Sequence, residues 1–149
     1  MVKTSIVLPL WKLLLIAECL LLMTIYRLRL KSKHFPELAK KLGEERKTSL
    51  LIPFIPNSKR IHAMSLKAAL RRAVNLSPWH LNCLAQALCA AHLLRRYHVS
   101  HSLFFGVKHS TDDSAALEAH AWVMAGRYSV CGGFSFEQYT ALNCFTHHA

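Results

Sequence analysis

The chain has 149 residues, 52% of them hydrophobic, with 19 Lys and Arg against eight Asp and Glu, a formal net charge of +11. That length fits one compact domain with an appendage, and the apolar content suffices for a core or a membrane contact. Five cysteines, an odd number with no CxxC pair, exclude a disulfide framework and indicate free thiols in a reducing compartment. The charge suits anionic lipid, an acidic partner or nucleic acid. Nucleic acid is set aside, because there is no RNA-recognition signature, zinc finger or basic run interleaved with aromatics.

Residues 5–26 (SIVLPLWKLLLIAECLLLMTIY) are dominated by Leu and Ile and approach the roughly 20 residues a membrane span needs. Lys12 and Glu18 interrupt them, and Arg27, Arg29, Lys31 and Lys33 follow. No small-residue cleavage motif follows, which argues against a removable signal peptide. Three roles remain open: a span, a helix lying on the membrane, or a helix docked on protein. The insertion cost of two charges favours docking or peripheral association over spanning. The basic flank would keep the C-terminal end in the cytoplasm, at the inner face of the membrane.

His34 to Lys47 reads as a short helix starting at Pro36 and broken near Gly43, its charges solvated. Pro53 and Pro56 make LLIPFIPNSKR a linker. The expected division is therefore an apolar, basic helical segment over 1–50 and a main domain over 51–149. Ile61 to Leu76 has a helical apolar stripe, and Ser77-Pro78-Trp79-His80 turns the chain. Asn82 to Tyr97 (NCLAQALCAAHLLRRY) is apolar nearly all round, as a buried central helix must be. His98 to His109, Leu117 to Ala125 and Tyr128 to Cys131 read as strands, the last ended by Gly132-Gly133. Period two puts Glu118, His120, Trp122 and Met124 on one face of the second. SFEQYTAL (135–142) reads as a closing helix with Ser135 as N-cap. Helices followed by an antiparallel meander form an α+β pattern.

Cys83 carries the chemical interest. With Asn82 as N-cap it falls in the first turn, where the dipole and unpaired N–H groups stabilise a thiolate. If the helix began at Ser77-Pro78 instead, that argument would weaken. A thiol nucleophile needs a base within reach, and His120, on a strand after the helix, can supply it. Helix start and facing strand would then present sulfur and imidazole to each other. An oxyanion hole would come from the Cys83 backbone N–H with a donor just before it, Asn82 being the nearest. Trp79 reads as core. Cys89 belongs to the core on the far side of the helix; Cys131 is a rival thiol near His120. No C-x₂-C or H-x₃-H pair supports a metal site. His147-His148 reads as a frayed end.

These residues also carry a resemblance. CLAQALCAAHLLRRYHVSHSLFFGVKH, LEAHAWVMAGRYSVCGG and FEQYTALNCF, in that order, closely resemble the transglutaminase-like maturation proteins of lasso-peptide biosynthesis over about residues 78 to 145. The resemblance implies a papain/transglutaminase-like fold. It also implies a thiol protease that removes the leader of a ribosomally made antibiotic precursor peptide. Its partners would be a separate leader-recognition protein and a macrolactam cyclase, with any nucleotide requirement carried by them and no cofactor of its own. Nucleophile and base then fall on Cys83 and His120. The family's third residue is typically an Asp on the next strand, where this chain has Ser129-Val130-Cys131-Gly132-Gly133. Ser129, Glu137, Glu118 or a backbone carbonyl are the substitutes. Acyl transfer to an amine on the same fold, and a triad-deficient, membrane-associated scaffold, are the alternatives to hydrolysis.

Overall fold

A computed structural model describes residues 8–32, 35–112, 115–133 and 137–149. Among the described residues, four helices and five strands follow in the order α1 (Leu10–Lys31), α2 (Phe35–Ala39), β1 (Glu44–Arg46), α3 (Asn57–Leu76), α4 (Cys83–Arg96), β2 (His101–His109), β3 (Leu117–Ala125), β4 (Tyr128–Cys131) and β5 (Thr140–His147). The strands make one antiparallel sheet in the order β1-β5-β2-β3-β4. The α+β class expected from the sequence is what the chain adopts.

Alternation along the strands divides the interior in two. Leu103, Ala121, Val123, Ala125 and Phe145 turn to the helices and join the main cluster with Leu88, Leu93 and Leu94 of α4. Phe104, Trp122, Met124 and Cys144 turn to the other face and form a smaller cluster with Tyr139. The Phe104 and Trp122 rings stack there, 5.5 Å apart. Within α4, Ala85, Ala87, Leu88, Cys89, Ala90, Ala91, Leu93 and Leu94 are all buried. Its alanines let α1, α3 and the sheet come close, and each buried leucine contributes about 2 kcal/mol by area.

Residues on both sides of position 50 share this core and this sheet. Leu15, Ile16, Cys19 and Met23 of α1 lie in the same cluster as α4, and β1 pairs with β5 as an edge strand. Two charges explain how an apolar helix docks here. Glu18 pairs with Arg96 at the end of α4, and Lys12 lies at the groove between α1 and α3. Among the described residues no helix is long and apolar enough to cross a membrane.

Three expectations need correction. The segment expected as a closing helix over 135–142 ends in a strand: Thr140 onward pairs with β2 from Val107 back to His101, and Ser135 lies outside the described residues. Thr140 and Ala141 pair with Val107 and Gly106, so the ladder with β2 satisfies backbone groups that a helix would have had to satisfy within itself. His147 is accordingly in β5, its ring 5.4 Å from that of His101, not frayed. The charged stretch Glu44–Arg46, expected on a solvated helix face, is β1. Gly43, at φ +119°, lets it pass close to β5: a Cβ there would stand 2.2 Å from the Thr146 carbonyl oxygen.

One buried titratable group ties stability to pH. His101 is 1% exposed and donates from Nδ1 to the Val99 carbonyl at 2.8 Å. Burial lowers its imidazole to about 4, with His147 and Arg95 adding to the effect and the Val99 bond opposing it. In the unfolded chain it protonates near 6.5. Its contribution is therefore complete above pH 6.5 and is lost as pH falls from there toward 4, to a limit of about 3 kcal/mol. Urea unfolding at pH 7 and pH 4.5 should show that loss, and His101→Gln should flatten it; an equal pH dependence in wild type and variant would refute the assignment.

Candidate active site

The start of α4 is fixed by one side chain. Asn82 is extended, at φ −70° and ψ 162°, and its Oδ1 accepts the Ala85 N–H at 2.8 Å. Gln86 Nε2 reaches back to the Leu81 carbonyl at 2.9 Å. Ser77-Pro78 does not begin the helix; Ser77 Oγ instead donates to the Trp79 carbonyl at 2.7 Å in an irregular turn. Trp79, expected in the core, is 41% exposed. Cys83 is thus the first helical residue, at the positive end of the dipole. Among the described residues, neither the Cys83 nor the Leu84 N–H has an acceptor. Two donors beside the sulfur are what an oxyanion hole requires. Asn82 stands next to them with its carboxamide oxygen committed to the cap.

His120 pairs across the sheet with Gly106. Its ring is stacked on that of Tyr139 at 4.9 Å and of Trp122 at 6.2 Å. Nε2–H donates to the Gly132 carbonyl at 3.1 Å. Nδ1 has no hydrogen bond among the described residues. With the proton held on Nε2, Nδ1 keeps its lone pair and can act as a base. The Gly132 carbonyl thereby orients the ring and selects the tautomer, as a carboxylate would, but without a full charge to stabilise the imidazolium. Glycine is required for this approach. Gly132 has φ +85°, and a Cβ on it would lie 2.4 Å from Trp122 Cβ.

Cys83 and His120 both border the end of β4. Cys131 packs in the helix-side cluster together with Cys83, close enough for Cys83 to act on its charge. Gly132, the next residue, receives His120. The approach differs from the one expected. α4 covers the sheet face of Ala121 and Val123, whereas the imidazole leaves β3 on the Trp122 face. His120 does not face the helix across the sheet: among the described residues no hydrogen bond joins the imidazole to Cys83, and the two reach the end of β4 from opposite faces.

The three side chains considered for the third position are engaged elsewhere or exposed. Glu118 pairs with Lys108 at 3.2 Å, directly across β2 and β3. Ser129 Oγ donates to the Gly133 carbonyl at 2.7 Å. Glu137 is exposed. The rival thiols are disfavoured as nucleophiles. Burial pushes Cys131 up to about 12, with Cys83 adding to the rise and a Val123 backbone bond opposing it. Cys89 is driven upward by its contact with Cys19 and by burial, and its Sγ donates to the Cys19 carbonyl at 3.7 Å. Both stay thiols at neutral pH, so neither supplies the thiolate that attack needs. Among the described residues no group of His, Cys, Asp and Glu could hold a metal ion.

One participant was missed by reading the sequence, and another was foreseen only as a backbone carbonyl with no position assigned. Tyr139, assigned there to a helix, is a stacking platform for His120. The Gly132 carbonyl has no side-chain signature; only the Gly132-Gly133 pair closing a strand marked an unusual backbone. A family model described as the transglutaminase-like superfamily matches residues 25–144. No curated protein and no solved structure matches the chain.

The two glycines allow a controlled test of the backbone at the site. Gly133 also has positive φ, +66°, but a Cβ there would meet nothing within 4 Å. Alanine at either position costs about 1–3 kcal/mol for the left-handed conformation. Gly132→Ala should exceed Gly133→Ala in urea unfolding because it adds the collision with Trp122, and it alone should shift the His120 ring resonances. Equal costs with an unmoved His120 would contradict the placement.

Proposed function

Because the chain belongs to the transglutaminase-like superfamily, we propose that it is a cysteine peptidase using Cys83 as nucleophile and His120 as base. What supports the reading is a cysteine opening a buried helix beside Cys131, and a histidine whose Nε2 is held by the carbonyl of the next residue, Gly132. In the reaction the Cys83 thiol gives its proton to His120 Nδ1, and the thiolate attacks the scissile carbonyl carbon. The oxyanion is received by the Cys83 N–H, with Asn82 or the Leu84 N–H as second donor. His120 returns the proton to the departing amine as the C–N bond breaks, leaving a thioester on Cys83. Water, deprotonated by His120, hydrolyses the thioester and releases the acid. The cycle calls for no metal and no cofactor.

The substrate we propose is the leader-bearing precursor of a lasso peptide, cleaved in concert with a leader-recognition protein and a macrolactam cyclase. Support for this finer reading is the motif order around Cys83, His120 and Cys144. A carbonyl in place of a carboxylate fits such a division of labour. The imidazolium is less stabilised than in a full triad, so the isolated chain should be slow. Substrate delivered by a partner offsets this by holding the scissile bond in place.

The test is cleavage of the precursor encoded beside this chain, with its leader-recognition protein present. Product should appear with wild type and fall by at least about 10³-fold in Cys83→Ala and about 10²-fold or more in His120→Ala, on the scale of lost nucleophile and lost general base. Product that persists in Cys83→Ala would overturn the mechanism; a mass gain on an amine in place of hydrolysis would move the chain to acyl transfer.

A further inference from the structure

The two faces of α1 have different partners. Leu15, Ile16, Cys19 and Met23 are buried against α3 and α4. At 100° per residue, Leu10, Leu14, Ala17, Leu21 and Leu28 line the opposite side. Leu10 is 71% exposed, Leu14 and Leu21 61%, and Leu28 55%. This outer stripe contains no charge. Lys12 and Glu18, the residues that interrupt the apolar run, are turned to the α3 groove and to Arg96. The apolar surface continues past Trp11 and Leu13, half-exposed, and over the groove to Ile61 and Met64 of α3. That groove encloses about 250 Å³ and has Lys12 and Arg72 among its lining residues.

We propose that this face lies on an anionic phospholipid surface, with α1 in the plane of the interface. Contiguous exposed apolar area of this kind marks an interaction surface. Charge identifies the occupant. Lys12 and Arg72 flank the N-terminal half, and Arg27, Arg29 and Lys31 close the helix. Its one acidic residue, Glu18, is paired with Arg96. Within a chain of net charge +11, an uncharged stripe bordered by cations and carrying a tryptophan fits a bilayer of acidic headgroups: leucines enter the acyl boundary while lysine and arginine remain at the phosphates. The weak helical periodicity of α1 has the same origin, because one apolar side is used for the protein's own core and the other for lipid. The inference is independent of the peptidase reading.

Flotation of the full chain with phosphatidylcholine vesicles, and with vesicles containing 30% phosphatidylglycerol, tests it. Binding should require the anionic lipid and weaken as salt is raised from 50 to 500 mM. Leu14→Glu/Leu21→Glu should reduce the bound fraction at least about tenfold, since it removes two burying side chains and adds two repelled charges. Both positions are exposed, so circular dichroism and the unfolding midpoint should stay unchanged. Absence of binding to either vesicle, or equal binding by wild type and double variant, would overturn the proposal. So would a wild-type dimer in light scattering that the double variant loses while vesicle binding is unaffected, because the stripe would then cover a second copy.

Discussion

One hydrogen bond, from the Ala85 N–H to Asn82 Oδ1, decides where α4 begins, and the chemistry of the chain follows from that. With the helix starting at Cys83, a thiol stands at the positive end of a buried dipole, beside N–H groups that have no acceptor among the described residues. Had the helix begun at Ser77, the same cysteine would lie in the second turn with its N–H taken by the helix itself. The apolar body of α4 makes the position rigid. Its leucines and alanines are held by α1, α3 and the sheet at once, so the sulfur is carried by the most deeply packed element of the fold.

The proposed base is held by different means. His120 lies on the sheet face away from α4 and is fixed by aromatic stacking on Tyr139 and Trp122 and by a carbonyl at Nε2. The carbonyl can come that close only because Gly132 has no Cβ to strike Trp122. A carboxylate on a neighbouring strand would orient the ring and stabilise its charge; the glycine carbonyl does the first and only weakly the second. In the proposed mechanism the tautomer is therefore set by a backbone carbonyl in place of a carboxylate.

Much of this is legible in the sequence, and the gaps have physical reasons. The buried helix, its cap at Asn82 and the two-residue alternation that groups His120 with Trp122 are local properties, written in periodicity and side-chain chemistry. What periodicity does not carry is which residues meet across distance. SFEQYTAL has neither a strong strand nor a strong helix period, and its C-terminal part is drawn into the sheet by pairing with β2. Glu44–Arg46 is too short and too charged to announce an edge strand, yet β5 offers it backbone partners. The orienting carbonyl is backbone, so no residue type could have advertised it.

The proposed chemistry depends on His120 activating Cys83, which is read most directly from the reactivity of the thiol itself. Iodoacetamide at pH 7, with the adducts mapped by peptide mass spectrometry, should modify Cys83 ahead of Cys131 and the buried Cys19, Cys89 and Cys144. Its rate should drop about tenfold or more in His120→Ala, as a thiol deprived of its base must. Modification that falls first on Cys131, or a Cys83 rate indifferent to the loss of His120, would contradict it.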